Sequence, residues 1–203
     1  MYKKPIIVFE GIEGTGKSHH INNVAKYLKR KKKKFIQIRE PGGNKNSEKI
    51  RNLILNNKST FNKHTDLLLS LSARSENVEL LKKNIGKKII LIDRFSDSTI
   101  AYQHYGMNID LKFIKTINNH LLKGINIDFT FLNIVNNANM KLRLLARKKL
   151  NRYDKFNNIF YNKVQKGYIK ISKTNPKKYM IINSNLDIFD NEKRILDKID
   201  NLI

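Results

Sequence analysis

At 203 residues the chain can bury a sizeable core without cross-links, and one domain spanning 1–203 is the expectation. It has no cysteine, which excludes disulfides and cysteine-based metal or redox chemistry and fits a reducing, cytoplasmic setting. The formal net charge of +24 invites a nucleic-acid reading, but the lysines are scattered through the whole chain among abundant Asn and Ile, the pattern a coding bias leaves, so a solvated basic surface is expected instead.

The chain opens Met1-Tyr2-Lys3-Lys4-Pro5 and enters a short apolar run that Glu10 and Glu13 interrupt, so neither a signal-peptide core nor a membrane span is expected. Apolar, β-rich runs at 5–10, 35–39, 89–93, 128–134 and 179–183 predict strands with both faces covered. Helical spacing fills 18–31, 47–56, 65–85, 111–122, 140–149 and 157–172. The dense cationic run from Lys29 to Lys34 closes the first helix, where positive charge complements exposed carbonyls. The β-α alternation predicts an α/β fold, a parallel sheet of about five strands with helices on both faces.

Between the first strand and the first helix stands Gly11-Ile12-Glu13-Gly14-Thr15-Gly16-Lys17-Ser18, a full G-x-x-x-x-G-K-[ST] match in the context that gives it meaning. Its glycines let successive N–H groups turn inward into an anion nest beside a helix N-terminus, with Lys17 for the β- and γ-phosphates and the Ser18 hydroxyl for Mg²⁺. A P-loop NTPase-type fold binding ATP is therefore expected. A GTPase is not, since no Asn-Lys pair continues to N-K-x-D and no D-x-x-G follows the loop.

Three further segments narrow the reading: Arg39-Glu40-Pro41-Gly42-Gly43 after the second strand, Arg74 in the helix at 65–85, and Asp93-Arg94-Phe95 running into Asp97-Ser98-Thr99 and Ala101-Tyr102-Gln103. In this order and spacing they resemble the bacterial thymidylate kinases. The resemblance extends through a short basic helical lid at about 140–156 to a helix holding Tyr168. It implies transfer of the γ-phosphoryl group of ATP to dTMP with Mg²⁺, in a cytoplasmic homodimer whose interface draws on the helix at 65–85. A kinase for another nucleoside monophosphate, and a basic nucleic-acid-binding ATPase, are the alternatives.

By that resemblance Arg94 holds the acceptor phosphate, with Arg39 and Arg51 adding positive potential, and Asp93 orients Arg94 or positions Mg²⁺. Glu13 faces the sugar 3′-OH, Tyr102 packs beside the deoxyribose, and Arg74, Ser98, Thr99 and Gln103 read the base. Members of the family often carry an aromatic side chain where this chain has Ser70, which leaves Leu71 as a candidate stacking partner. Some carry an arginine within the P-loop where this chain has Gly14, so the catalytic arginine is expected from the lid, as Arg147 or Arg152. The lid reads Asn151-Arg152-Tyr153-Asp154, with Arg143, Lys148 and Lys149 on a solvated face of its helix. Phe160, Tyr161 and Tyr168 are expected in the core, and the five histidines show no metal-ligand spacing in the sequence.

Overall fold

The computed structural model describes residues 4–203, so Met1, Tyr2 and Lys3 of the N-terminal reading lie outside the described residues. Strands β1 (Ile6–Glu10), β2 (Phe35–Arg39), β3 (Ile89–Asp93), β4 (Phe129–Ile134) and β5 (Tyr179–Asn183) form one parallel sheet in the order β2-β3-β1-β4-β5. All five strands stand where the apolar runs put them. Residues of β1 alternate between the two faces. Ile7 and Phe9 pack with Ile21, Val24 and Leu28 of α1 (Lys17–Arg30) and with Ile195 and Ile199, whereas Ile6 and Val8 pack with Val78 and Leu81 on the other face.

The remaining helices are α2 (Lys45–Leu55), α3 (Lys63–Asn84), α4 (Ser96–Thr99), α5 (Leu111–Leu121), α6 (Asn137–Leu145), α7 (Asn158–Thr174) and α8 (Ile188–Leu202). Asparagine side chains cap four of them, with Asn44, Asn62, Asn136 and Asn157 each accepting backbone N–H bonds from the first turn. Asp110 and Asp187 do the same for α5 and α8. Beyond the sequence expectation lie α4, the π-helical segment Ile100–Gly106 that continues it, and α8. No helix among the described residues is long and apolar enough to cross a membrane.

One expected element is shorter. The helix expected at 140–149 ends at Leu145, and a 3-10 turn, Tyr153–Lys155, follows. Arg147, Lys148 and Lys149 therefore do not extend that helix.

The strand order reverses around β1, so a cleft opens where the loops after β1 and β3 diverge. The register Phe9↔Asp93 and Arg39↔Asp93 brings the carboxyl ends of β1, β2 and β3 level.

Candidate active site

The P-loop is built on positive φ angles, 136° at Gly11, 70° at Gly14 and 78° at Gly16. Gly11 is needed for space as well, because a Cβ there would drive into the Asn133 carbonyl oxygen. Lys17 is buried and donates to the Ile12 carbonyl (2.9 Å) and the Thr15 hydroxyl (3.4 Å). Burial, and then the charge of Arg94, push the ammonium down to about 8. Arg143 is bound to the loop rather than free in solvent, donating to the carbonyls of Gly14 (3.0 Å) and Ser184 (2.7 Å).

Opposite the loop, Ser18 donates to Asp93 at 3.1 Å. Arg94 follows with φ of 67°, a left-handed conformation that costs a non-glycine residue of order 1–3 kcal/mol. The surroundings hold it there. Its Nη2 donates to Glu13 Oε1 at 2.7 Å, its Nη1 to the Tyr168 hydroxyl at 3.3 Å, and its guanidinium lies 5.2 Å from the Tyr102 ring. Tyr102 donates to the other oxygen of Glu13. Burial pushes the Glu13 carboxyl up, but Arg94 and Lys17 outweigh it and hold the group below the usual range.

Behind Arg94 lies Glu10, which the sequence reading took only as an interruption of the first strand. It is fully buried. Its Oε1 accepts from the amides of Phe95 (2.8 Å) and Ser98 (3.2 Å), and its Oε2 accepts from the hydroxyls of Ser98 (2.6 Å) and Tyr168 (3.0 Å). Burial and the neighbouring Asp97 push this carboxyl up to about 7. Glu10 thus fastens the segment after Arg94 on one side and Tyr168 on the other. Tyr168 is in the core, as expected, but carries this polar task as well.

Arg74 forms a third wall. It is buried, and its Nε donates to Glu40 (2.8 Å) while Nη1 donates to Thr99 (2.9 Å) and Asn118 (2.6 Å). Thr99 and Gln103 are buried beside it. Arg39 forks onto Glu48, and Arg51 donates to the Pro41 carbonyl at 2.6 Å. Ser70 donates back to the Asp66 carbonyl. Leu71 cannot serve as a stacking partner, since it packs with Leu67, Ile109 and Ile114 away from the cleft.

A single cleft of about 200 Å³ gathers Glu13, Lys17, Ser18, Arg39, Arg51, Ser70, Arg74, Asp93, Arg94, Ser98, Thr99, Tyr102, Gln103 and Arg147. Glu40, Pro41, Phe95, Asn151 and Tyr153 of the same motifs also line it, together with Ile54 and Leu55, which no motif singled out. Arg152 does not line it. Its Nε donates to the Ile54 carbonyl and its Nη2 is paired with Asp66 on α3, so the side chain turns from the cleft to anchor the lid. Arg147 is oriented by Asp154 (2.5 Å), whose second oxygen accepts from the Asn151 amide (2.9 Å). The sequence spacing of the histidines offered no ligand set, but α8 brings Glu192 to His19 and His20.

Comparison with known proteins agrees with this geometry. The thymidylate kinase family model matches residues 9–195. The thymidylate kinase of Thermosipho africanus is 39% identical over 196 residues, covering 95% of this chain and 97% of that protein. The thymidylate kinase of Acholeplasma laidlawii is 35% identical over 196 residues, with 95% and 97% covered. The crystal structure of thymidylate kinase from Ehrlichia chaffeensis superposes with a TM-score of 0.77 at 30% identity, covering 97% of this chain and 98% of that one. The chain belongs to the thymidylate kinase family, whose reaction is the phosphorylation of dTMP with ATP as donor.

Proposed function

We propose that the whole chain acts as one catalytic unit in which the P-loop holds ATP and Arg94 presents the dTMP phosphate to it. The observation that carries this reading is Arg94 itself, kept in a left-handed conformation by Glu13 and Tyr168 and lining the same cleft as Lys17. A phosphate monoester is already nucleophilic, so the site needs cations and positioning rather than a strong base. Lys17 and the N–H groups of residues 11–18 take the β- and γ-phosphates. The oxygens of Ser18 and Asp93, 3.1 Å apart, are the hard donors that would hold Mg²⁺, and an ion there would neutralise phosphate charge.

Arg94 supplies a planar fork for the acceptor phosphate, with Arg39 adding positive potential. Glu13 and Tyr102 face the sugar, while Arg74, Ser98, Thr99 and Gln103 meet the base. Arg74 is fixed on three acceptors before substrate arrives, which makes it a rigid donor. Arg147 is the lid arginine that meets the transferring group, and Arg152 anchors the lid to α3. We place the enzyme in the cytoplasm as a homodimer whose contact includes the exposed Leu68 of α3.

An ADP-coupled assay across dTMP, dUMP, dCMP, AMP and GMP tests the reading, with Arg94→Ala alongside. The expected result is preference for dTMP and, in the variant, a raised KM for dTMP together with a lowered kcat. Equal turnover of AMP, or unchanged dTMP kinetics in Arg94→Ala, would overturn it.

A further inference from the structure

Outside the kinase cleft, α1 and α8 bring together His19, His20 and Glu192. One ring nitrogen from each histidine and a carboxylate oxygen all lie within 4.8 Å of one another. His19 Nε2 already meets Glu192 Oε1 at 2.5 Å, which pairs two of the three groups. That contact leaves His20 unexplained. Its side chain is only 3% exposed, and its Nδ1 is buried without a hydrogen-bond partner. Buried polar atoms are ordinarily satisfied, so a buried histidine that carries an orphaned nitrogen and stands within reach of two ready ligands asks for a third party.

We propose that His19, His20 and Glu192 form a binding site for a first-row transition-metal ion of the zinc class, joining α1 to α8. Two imidazoles and a carboxylate are the donor set that zinc takes with a fourth position left to water. Imidazole nitrogens select against Mg²⁺, which prefers oxygen ligands throughout. The ring geometry fits as well. Two imidazoles on one tetrahedral ion, with metal–nitrogen bonds of about 2.0–2.1 Å, place their centroids about 5 Å apart. The two rings here are 5.6 Å apart at an interplanar angle of 82°. Consecutive residues on a helix point about 100° apart, yet one ring nitrogen of the exposed His19 and one of the buried His20 lie within 4.8 Å of each other and of a Glu192 oxygen from α8. Arg143 is the neighbouring positive charge, and its guanidinium is engaged by the carbonyls of Gly14 and Ser184. The ion would link two helices whose contacting residues are 173 positions apart, one of them the helix that opens at Lys17.

The test uses the untagged full-length chain, stripped of metal by chelation and free of nucleotide, titrated with Co²⁺ and then Zn²⁺. One equivalent of Co²⁺ should give the visible absorption of a four-coordinate site, which Zn²⁺ displaces and Mg²⁺ does not. Zn²⁺ should raise Tm in a saturable way. His19→Ala and Glu192→Gln, both at positions that keep the buried His20 in place, should each weaken Zn²⁺ binding at least about tenfold. His64→Ala, on α3, should bind as the parent does. Absence of four-coordinate Co²⁺ absorption, displacement by Mg²⁺, equal affinity in His19→Ala and the parent, or loss of binding in His64→Ala would each overturn the proposal.

Discussion

Replacing Glu10 separates the support of the cleft from its chemistry. In Glu10→Ala the amides of Phe95 and Ser98, now bound at 2.8 and 3.2 Å, lose their acceptor inside the protein. Each buried amide left unpaired costs about 1–3 kcal/mol, so the two together predict a loss of about 2–6 kcal/mol. Glu10→Gln keeps an oxygen for both amides and offers an N–H₂ group to Ser98 and Tyr168, and it should lose far less. The two variants also differ from the parent in pH response. The Glu10 pKa is raised to about 7 from an unfolded value near 4.5, so between these values the folded state holds a proton that the unfolded state has lost. Stability from this group is then full below pH 4.5 and declines as pH rises through about 7. At about 1.4 kcal/mol per pH unit the decline amounts to about 3 kcal/mol. Urea unfolding of parent and Glu10→Gln from pH 4.5 to 8 reads it as the difference between two curves, the glutamine variant being the flatter. Glu10→Ala within about 0.5 kcal/mol of the parent, or parallel pH curves for parent and Glu10→Gln, would refute the role given to this carboxylate.

Three other outcomes are expected. Lys17 titrates near 8 before ATP binds and is held charged by the phosphates afterwards, so ATP affinity should fall above pH 8 and binding should take up a proton there; calorimetry in buffers of different ionisation enthalpy measures the uptake. Arg147→Ala should lower kcat at least about tenfold, a loss of about 1.4 kcal/mol of transition-state stabilisation, with dTMP affinity kept. Arg152→Ala should instead cost about 3 kcal/mol of stability by stranding the buried Asp66, and steady-state kinetics with chemical unfolding on both variants distinguishes the two arginines. Gly11→Ala should fold poorly or lose ATP binding, because its Cβ meets the Asn133 carbonyl; normal ATP affinity by titration would contradict that contact.

Strand positions were legible because each run is short, rich in apolar β-formers and bounded by turn or polar residues, and the residues of the phosphate loop announce themselves by spacing. The helix of the lid was read too far for a physical reason. Arg147, Lys148 and Lys149 are good helix formers, but Asp154 binds Arg147 and the Asn151 amide, and this local alternative ends the helix at Leu145. Helix α8 carries its own cues in the Asp187 cap and in the buried Asn191, Ile195 and Ile199 at helical spacing. Glu10 was illegible as anything but an odd acid in a strand, since its partners come from residues 95, 98 and 168. The same holds for Arg152, whose partner Asp66 is 86 residues away, and for the histidine pair, which a glutamate 173 positions on completes. Contacts of this span are made by the fold and leave no local pattern.

The asparagine caps bear on how such a basic protein stays folded while its composition drifts. Asn and Asp serve almost equally well at the first position of a helix, because either side-chain oxygen can accept the free N–H groups. A mutational pressure that exchanges one for the other therefore changes the charge of the chain without undoing the start of a helix. Asn44, Asn62, Asn136 and Asn157 stand at four such tolerant places. Glu10, Glu13, Glu40 and Asp93 do not, since each carboxylate holds a specific partner in or behind the cleft. Acidic residues can thus be thinned out at the margins of the fold without loss of structure, whereas those around the reacting phosphates cannot be exchanged without losing a partner.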